Sequence, residues 1–512
     1  MGKDGAVHKF NELLTGSMNR KILSLSIALI IVLGIAAYAG SLGGKFLLDD
    51  ELLIKNNIFI IHRAGPGIFF TTDIMAGVGM VSAFYRPLQM ITYASDHAVW
   101  NLNATGYHIT SMLLHILVAL CIYRMLSILL SDNKLSFLAS ALFVVHPIHT
   151  EAVSYISGRA DPLSCLFMLL CFIIYIKEIN RDKISLPGYI LIPLTYALAL
   201  LSKETSVILP LLLLFYHFVF KRKIKVLPFV LLLGVFTVYL FIRLIYLRLV
   251  LVPMQAGFDT MPGRIPGFFA AMLTYIKLLF LPFPLHMEYR AGLFAFTNPR
   301  VIAGIILTFI IIAFAWIKRK NKIILFSIGW FFLGILPVSN LYKISAYMAE
   351  HFLYLPSIGF FMLIAYALTG ISNNKKYSAA GTVLIIALLS FYLTAAIKQN
   401  DYWKTPFAFY DRTLKLVPES ESAYYGRGIL YDKIGKYDQA IADYDMAILI
   451  KPDYTDAYNN RGIVYDKKGE YDKAMADYKK AIRINPDYAP ARNNLKNTYE
   501  KIDRNKSVAP HP

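Results

Sequence analysis

Apolar runs long enough to cross a hydrocarbon layer of about 30 Å recur eleven times before residue 400. They lie near 22–41, 108–130, 135–148, 161–177, 185–201, 206–220, 226–250, 301–317, 323–338, 353–370 and 378–397. No single water-soluble core holds that much apolar surface, and with 57% hydrophobic and only 17% charged residues the chain has lipid as its main solvent. The expected fold class is therefore all-α: a polytopic membrane body of about eleven spans.

The formal net charge of +19 raises the question of a polyanionic partner such as nucleic acid. The cations answer it by where they sit. Segments 1–21, 177–184, 221–225 (KRKIK), 318–322 (KRKNK) and 371–377 carry four, three, four, four and two Lys and Arg, whereas 148–160, 202–205 and 339–352 carry one each. Alternation of this kind is the positive-inside pattern; it predicts a cytosolic N-terminus and no nucleic-acid partner. Parity then decides stretch 265–285, which is apolar enough to span but would move KRKNK to the outer side. It reads as a re-entrant or interfacial element within 251–300, leaving an odd number of spans and a C-terminal domain on the non-cytosolic side, either periplasm or endoplasmic reticulum lumen. Cys121, Cys165 and Cys171 all fall in predicted spans, so they supply neither a disulfide framework nor a zinc site.

After the membrane body (1–400) the pattern changes. Residues 420–453 and 454–487 align without gaps at a period of 34, with Gly428/Gly462, Gly435/Gly469, Tyr437/Tyr471, Ala440/Ala474 and Pro452/Pro486 repeating in step. This is the tetratricopeptide signature of paired helices stacking into an α-solenoid. Pro418 extends the period backwards and predicts a degenerate half repeat at 403–419; a cap helix at 488–503 and a disordered tail at 504–512 complete a domain beginning at 401. The array is read as a groove for a protein or peptide acceptor, against the alternative of a spacer or dimer contact.

Polar residues concentrate on the outer side. The first external loop, 42–107, opens with LLDDELL, and its adjacent Asp49 and Asp50 at the membrane boundary are candidates for a carboxylate base, with a hydrated loop start as the alternative. HPIHTEAVSYISGRADP (146–162, framing the second external loop at 148–160) gathers His146, His149, Glu151, Arg159 and Asp161. Pro147 breaks any helix after the first His and leaves no regular ligand face, so a hydrogen-bonded cluster shaping a cavity is preferred and no metal is assigned. Arg86, Glu204 and Glu350 join it as candidates for cavity or acceptor contacts. Lys203, Arg243, Arg248 and His351 are candidates for holding a lipid phosphate, since intramembrane arginines need a partner or a cavity; for Arg248 the alternative is snorkelling to the interface.

The run FLLDDELLIKNN, YRPLQMITYASDHAVW, LFVVHPIHTEAVSYISGRADP, LSKET and AEHFLYLPS, in this order and across nearly the whole chain, resembles the transmembrane and tetratricopeptide repeat-containing proteins, a family of the GT-C class of membrane glycosyltransferases. The resemblance implies a GT-C-like helical body and an O-mannosyltransferase that moves a sugar from a polyprenyl- or dolichyl-phosphate to Ser or Thr hydroxyls outside the cytosol. It places the catalytic acidic pair on Asp49 and Asp50 and calls for no cofactor, because the lipid-linked donor carries its own leaving group. Two departures stand out: His351 occupies a position where the family commonly has Arg, which makes a phosphate role there pH-dependent or doubtful, and the repeat array is shorter than in animal members. Rival readings are a membrane-anchored repeat scaffold without activity and a transporter of lipid-linked sugars.

Overall fold

The chain is described here by a computed structural model, covering residues 21, 23–249, 261–289, 294–341 and 347–508. The expected N-terminal cationic segment, part of 251–300 and the last four residues lie outside these. Two units divide the chain, Met1–Lys404 and Thr405–Pro512. Among the described residues both are helical and without strands.

Six helices of the first unit are long and apolar enough to cross a bilayer: Leu23–Gly43, Ala104–Leu130, Ile156–Ile179, Val226–Tyr246, Pro299–Ile317 and Ser378–Trp403. A seventh arises if Asn133–Val145 and Pro147–Val153, bent by 53° at their junction, form one broken span. Four shorter apolar helices, Leu186–Ser202, Glu204–Phe220, Lys322–Val338 and Ser357–Asn373, occupy the other expected positions. At 17 residues each they measure about 25 Å, below the usual membrane thickness. Length and composition alone thus account for six or seven spans, not eleven. Stretch 265–285 contributes to one helix, Met261–Phe280, which is not among the six. Its close approach to Pro299–Ile317 depends on Gly304: a Cβ there would lie 1.9 Å from the Phe269 carbonyl oxygen.

The bend at His146 follows from Pro147, which has no N–H to continue the ladder. The helix ends at Val145, His146 turns extended, and its Nδ1 accepts the Ile148 N–H at 3.2 Å. From there 147–159 folds back on itself in three short turns. Gly158 permits this, because a Cβ on it would meet the Glu151 carbonyl oxygen at 2.3 Å. This compact segment carries Tyr155 and Ser157, which contact the acidic pair.

The second unit starts at Thr405, four residues after the expected boundary, because Asp401–Trp403 form a turn whose Tyr402 and Trp403 are buried in the first unit. Helices Pro406–Leu416, Glu421–Lys433, Tyr437–Ile450, Thr455–Lys467, Tyr471–Ile484 and Ala489–Val508 alternate as the 34-residue period predicts. Gly435 and Gly469 take left-handed φ of 74° and 79° between paired helices. Each repeat is locked by one arginine: Arg427 clamps Asp443 and reaches Asp411, and Arg461 does the same to Asp477 and Asp445. The Asp411 contact ties Pro406–Leu416 into the array as the expected half repeat. The last helix continues to Val508, past the expected limit of 503.

Candidate functional site

The acidic pair sits where the chain leaves the first span. Phe46 and Leu47 are buried; Leu48 is then forced to a positive φ of 46°, a region costly for a residue with a branched side chain. The twist sends the next two carboxylates in different directions. Asp50 is 1% exposed, and its carboxylate accepts the Leu47 N–H at 2.8 Å, the Ser157 N–H at 2.8 Å and the Ser157 hydroxyl. Burial pushes its pKa up to about 7, against the pull of those hydrogen bonds, and the charge of Asp49 adds to the rise.

Asp49 is exposed, and its N–H donates to the Tyr155 phenol oxygen at 3.1 Å. The residue is exposed while protein crowds its carboxyl. Desolvation raises its pKa, while the Tyr155 phenol and the Arg86 guanidinium pull it down. Tyr155 is itself buried, and burial beside two carboxylates keeps its own proton bound far above neutral pH. Asp49 is therefore the member of the pair that can meet a substrate, and Asp50 the member that fixes the loop.

The neighbouring cations are already engaged. Arg86 binds Glu204 in fork geometry, Nη2 to Oε1 at 2.6 Å and Nε to Oε2 at 3.0 Å, joining the first external loop to the start of Glu204–Phe220. Lys203 reaches both oxygens of Asp161 at 2.7 and 2.8 Å. Glu151 is buried and takes His351 twice, Oε1 from Nδ1 at 2.8 Å and Oε2 from the backbone N–H at 2.9 Å. The next residue back, Glu350, accepts the His286 N–H at 2.5 Å and the Tyr289 hydroxyl at 2.7 Å. His351 remains partly exposed, its Nδ1 engaged by Glu151 and its Nε2 with no hydrogen-bond partner among the described residues.

The other sequence candidates take the following places in the structure. Arg159 does not line a cavity: it is fully buried, paired with Asp96 at 2.5 Å and bonded to the Tyr107 carbonyl at 2.7 Å, with its guanidinium over the Tyr93 ring. It is a pin between Pro87–Trp100, Ala104–Leu130 and the folded-back segment. His146 and His149 are buried among Phe143, Tyr354, Phe361 and Tyr392, His146 being fastened to the Leu279 carbonyl at 3.2 Å. They shape packing. Lys203 is held by Asp161, so its charge is answered within the protein. Arg248 stands exposed at a left-handed turn (φ 52°), with no ion-pair partner among the described residues, while Arg243 donates to the Ala83 carbonyl at 3.1 Å. No three His, Cys, Asp or Glu side chains converge as metal ligands among the described residues.

Sequence reasoning passed over Tyr155, Ser157 and Asp96. All three lie inside the motifs it singled out, but a tyrosine, a serine and an aspartate carry no spacing signal for contacts formed far along the chain, Asp49 to Tyr155, Asp50 to Ser157 and Asp96 to Arg159.

The tetratricopeptide repeat family model matches residues 422–454 and 455–488. A curated protein O-mannosyl-transferase of Caenorhabditis elegans is 26% identical over 430 residues, covering 79% of this chain and 59% of its own length. Human protein O-mannosyl-transferase TMTC3 is 24% identical over 461 residues, 81% of this chain and 50% of its own. Human TMTC2, likewise named a protein O-mannosyl-transferase, reaches 36% identity over a shorter stretch of 156 residues, 30% of this chain and 19% of its own. The chain thus spans about half the length of the two relatives matched over most of it. Among solved structures, the crystal structure of ArnT from Cupriavidus metallidurans bound to undecaprenyl phosphate aligns with a TM-score of 0.44 and 11% identity, covering 89% of this chain and 80% of that one, a likeness too distant to carry an argument.

Proposed function

We propose that this chain, a homologue of the transmembrane and tetratricopeptide repeat-containing protein O-mannosyl-transferases, is a GT-C-type membrane glycosyltransferase with Asp49 as its base. The donor is a mannose-like sugar on a polyprenyl or dolichyl phosphate, and the acceptor is a Ser or Thr hydroxyl. The observation that carries the reading is the division of labour in the acidic pair: one carboxylate is accessible at the membrane boundary, and its neighbour is consumed in holding the loop.

Asp49 takes the proton of the acceptor hydroxyl. The oxygen bonds to the anomeric carbon, and the bond from that carbon to the phosphate oxygen breaks with its electron pair on the departing polyprenyl phosphate. Attack opposite the leaving group inverts the anomeric centre. The base accounts for about 10²–10⁴ of the rate, and electrostatic support of the phosphate for a further part. His351 Nε2 and Arg243 are the candidates for that support, and no separate cofactor enters any step.

In this reading the four shorter apolar helices and the bent pair also cross the bilayer, giving eleven spans. The cytosolic side then carries KRKIK and KRKNK, and Asp49 and the repeats face outward, where the concave face of the array holds a polypeptide acceptor. The test is purified chain in proteoliposomes with mannosyl polyprenyl phosphate and Ser/Thr peptides. Transfer by the parental chain and its loss in Asp49→Asn is the expected result; equal transfer by a folded Asp49→Asn variant overturns the assignment.

A further inference from the structure

The end of the last span is built into the acidic pair's surroundings. Ser378–Asn400 hands over to the Asp401–Trp403 turn, and each residue around the handover is fastened. The Asn400 side chain donates to the Ala37 carbonyl at 2.7 Å and accepts the Ser154 hydroxyl at 2.7 Å. Tyr402 accepts the Met287 N–H at 3.2 Å. Lys45 donates its N–H to the Lys404 carbonyl at 3.0 Å. Trp403, 1% exposed, lies flat on the Tyr155 ring, centroids 5.5 Å apart and planes inclined by 14°. The far end of that tyrosine is the hydroxyl that receives the Asp49 N–H.

These contacts grip the chain on both sides of Asp49: Ala37 and Lys45 before it, Ser154 and Tyr155 across from it. Nothing in the transfer chemistry requires a buried tryptophan here. The backbone at Leu48 is held in an unfavourable region, however, and a strained turn persists only where its surroundings over-determine it. A flat ring wedged behind Tyr155 is such a determinant.

We propose that Tyr155 and Trp403 are positioning residues for Asp49: the indole fixes the phenol ring, and the phenol oxygen fixes the Asp49 backbone and, through it, where the carboxylate stands. The inference rests on the assignment of Asp49 as base for its catalytic meaning, but the brace itself can be read without any transfer. Besides Tyr155, the charged groups felt by Asp49 are Asp50 and Arg86. The chain leaves this brace directly into the repeats at Thr405.

The experiment uses the full chain in liposomes with Tyr155→Phe, Trp403→Phe and Trp403→Leu. Tyr155→Phe removes only the hydroxyl. Trp403→Phe keeps an aromatic face, whereas Trp403→Leu fills space without one. A water-soluble carbodiimide, which modifies protonated carboxyls, is applied across a pH series, and labelling of Asp49 is read by peptide mass spectrometry. Tyr155→Phe and Trp403→Leu are expected to move the labelling midpoint to higher pH, and Trp403→Phe to stay near the parental value. In the transfer assay the first two are expected to lose on the order of 10-fold to 100-fold in kcat with donor KM within about 2-fold. An unmoved midpoint in Tyr155→Phe overturns the brace. A midpoint that moves in Tyr155→Phe but equally little in both Trp403 variants removes Trp403 from it. Shifted labelling in a chain without any transfer activity sustains the brace and defeats the glycosyltransferase reading.

Discussion

Asp49 and Asp50 are neighbours in the chain and differ in almost everything that decides a carboxylate's chemistry. Exposure lets Asp49 reach an acceptor, and three hydrogen bonds leave Asp50 little to offer one. Asp49→Asn is therefore expected to lower transfer by about 10²–10⁴ with an unchanged melting temperature, and Asp50→Asn to lower it less. The pH dependence follows from the signs. A base raised by desolvation gives an acid limb of kcat/KM above the ordinary carboxylate range, and Arg86→Gln should move that limb to still higher pH, because the guanidinium it removes favours the charged carboxylate. The pH profiles of the two proteins check this. For Asp50 the folded pKa of about 7 stands above the ordinary 3.8. Its protonated form is the one the fold prefers, so its contribution to stability is intact below pH 3.8 and is lost as pH rises through about 7. Melting temperatures over that window should fall in the parental chain and flatten in Asp50→Asn.

At the scale of elements, what the sequence discloses is what repeats or breaks locally. The period of 34 places the paired helices of the array because small residues recur where two helices touch, while Gly435 and Gly469 recur at the turns: a Cβ on Gly428 would come within 2.7 Å of Tyr444, as one on Gly462 would of Tyr478. Pro147 announces the bend for an equally local reason. Long-range pairings have no such signature. Arg86 meets Glu204 across 118 positions and Asp50 meets Ser157 across 107, so the acidic pair was visible as a candidate while its internal asymmetry was not. The same limit hides the burial of Arg159, His146 and His149, since charged and imidazole side chains in an external motif look alike whether they line a cavity or pin a core. Within the array the arginine clamps give an element-scale expectation. Arg461 is largely covered and answers two aspartates, so Arg461→Met leaves the nearly buried Asp477 without its partner. A loss of about 1–3 kcal/mol in the stability of the repeats is expected, measured as faster amide exchange in Tyr471–Ile484 and Thr455–Lys467, with the membrane helices unaffected.

For the whole molecule the open quantity is parity. Six helices satisfy length and apolarity outright, the bent pair makes seven, and the four shorter ones bring the total to eleven if all cross. Helices of 17 residues fall about 5 Å short of the hydrocarbon thickness, a mismatch that local thinning and flanking lysines can absorb at modest cost. The charge distribution bears on a different helix: four Lys and Arg in KRKIK and four in KRKNK are easily kept on one side only if an even number of spans separates them. Between them lie Val226–Tyr246, Met261–Phe280 and Pro299–Ile317, so two crossings require Met261–Phe280 to stay out of the count. That helix has Arg264 near its start, hydrogen-bonded to the Asn340 carbonyl at 3.0 Å, which fixes this end beside the end of Lys322–Val338. A cysteine placed in KRKNK, one at Ser82 and one at Asp453, each in a chain with its native cysteines replaced, decide the matter with a membrane-impermeant maleimide on oriented vesicles. Labelling at Ser82 and Asp453 from the side opposite KRKNK is the expected pattern. Asp453 on the same side as KRKNK would require an even number of crossings between KRKNK and the repeats. It would separate the repeats from Asp49 by the bilayer and exclude them from holding the acceptor.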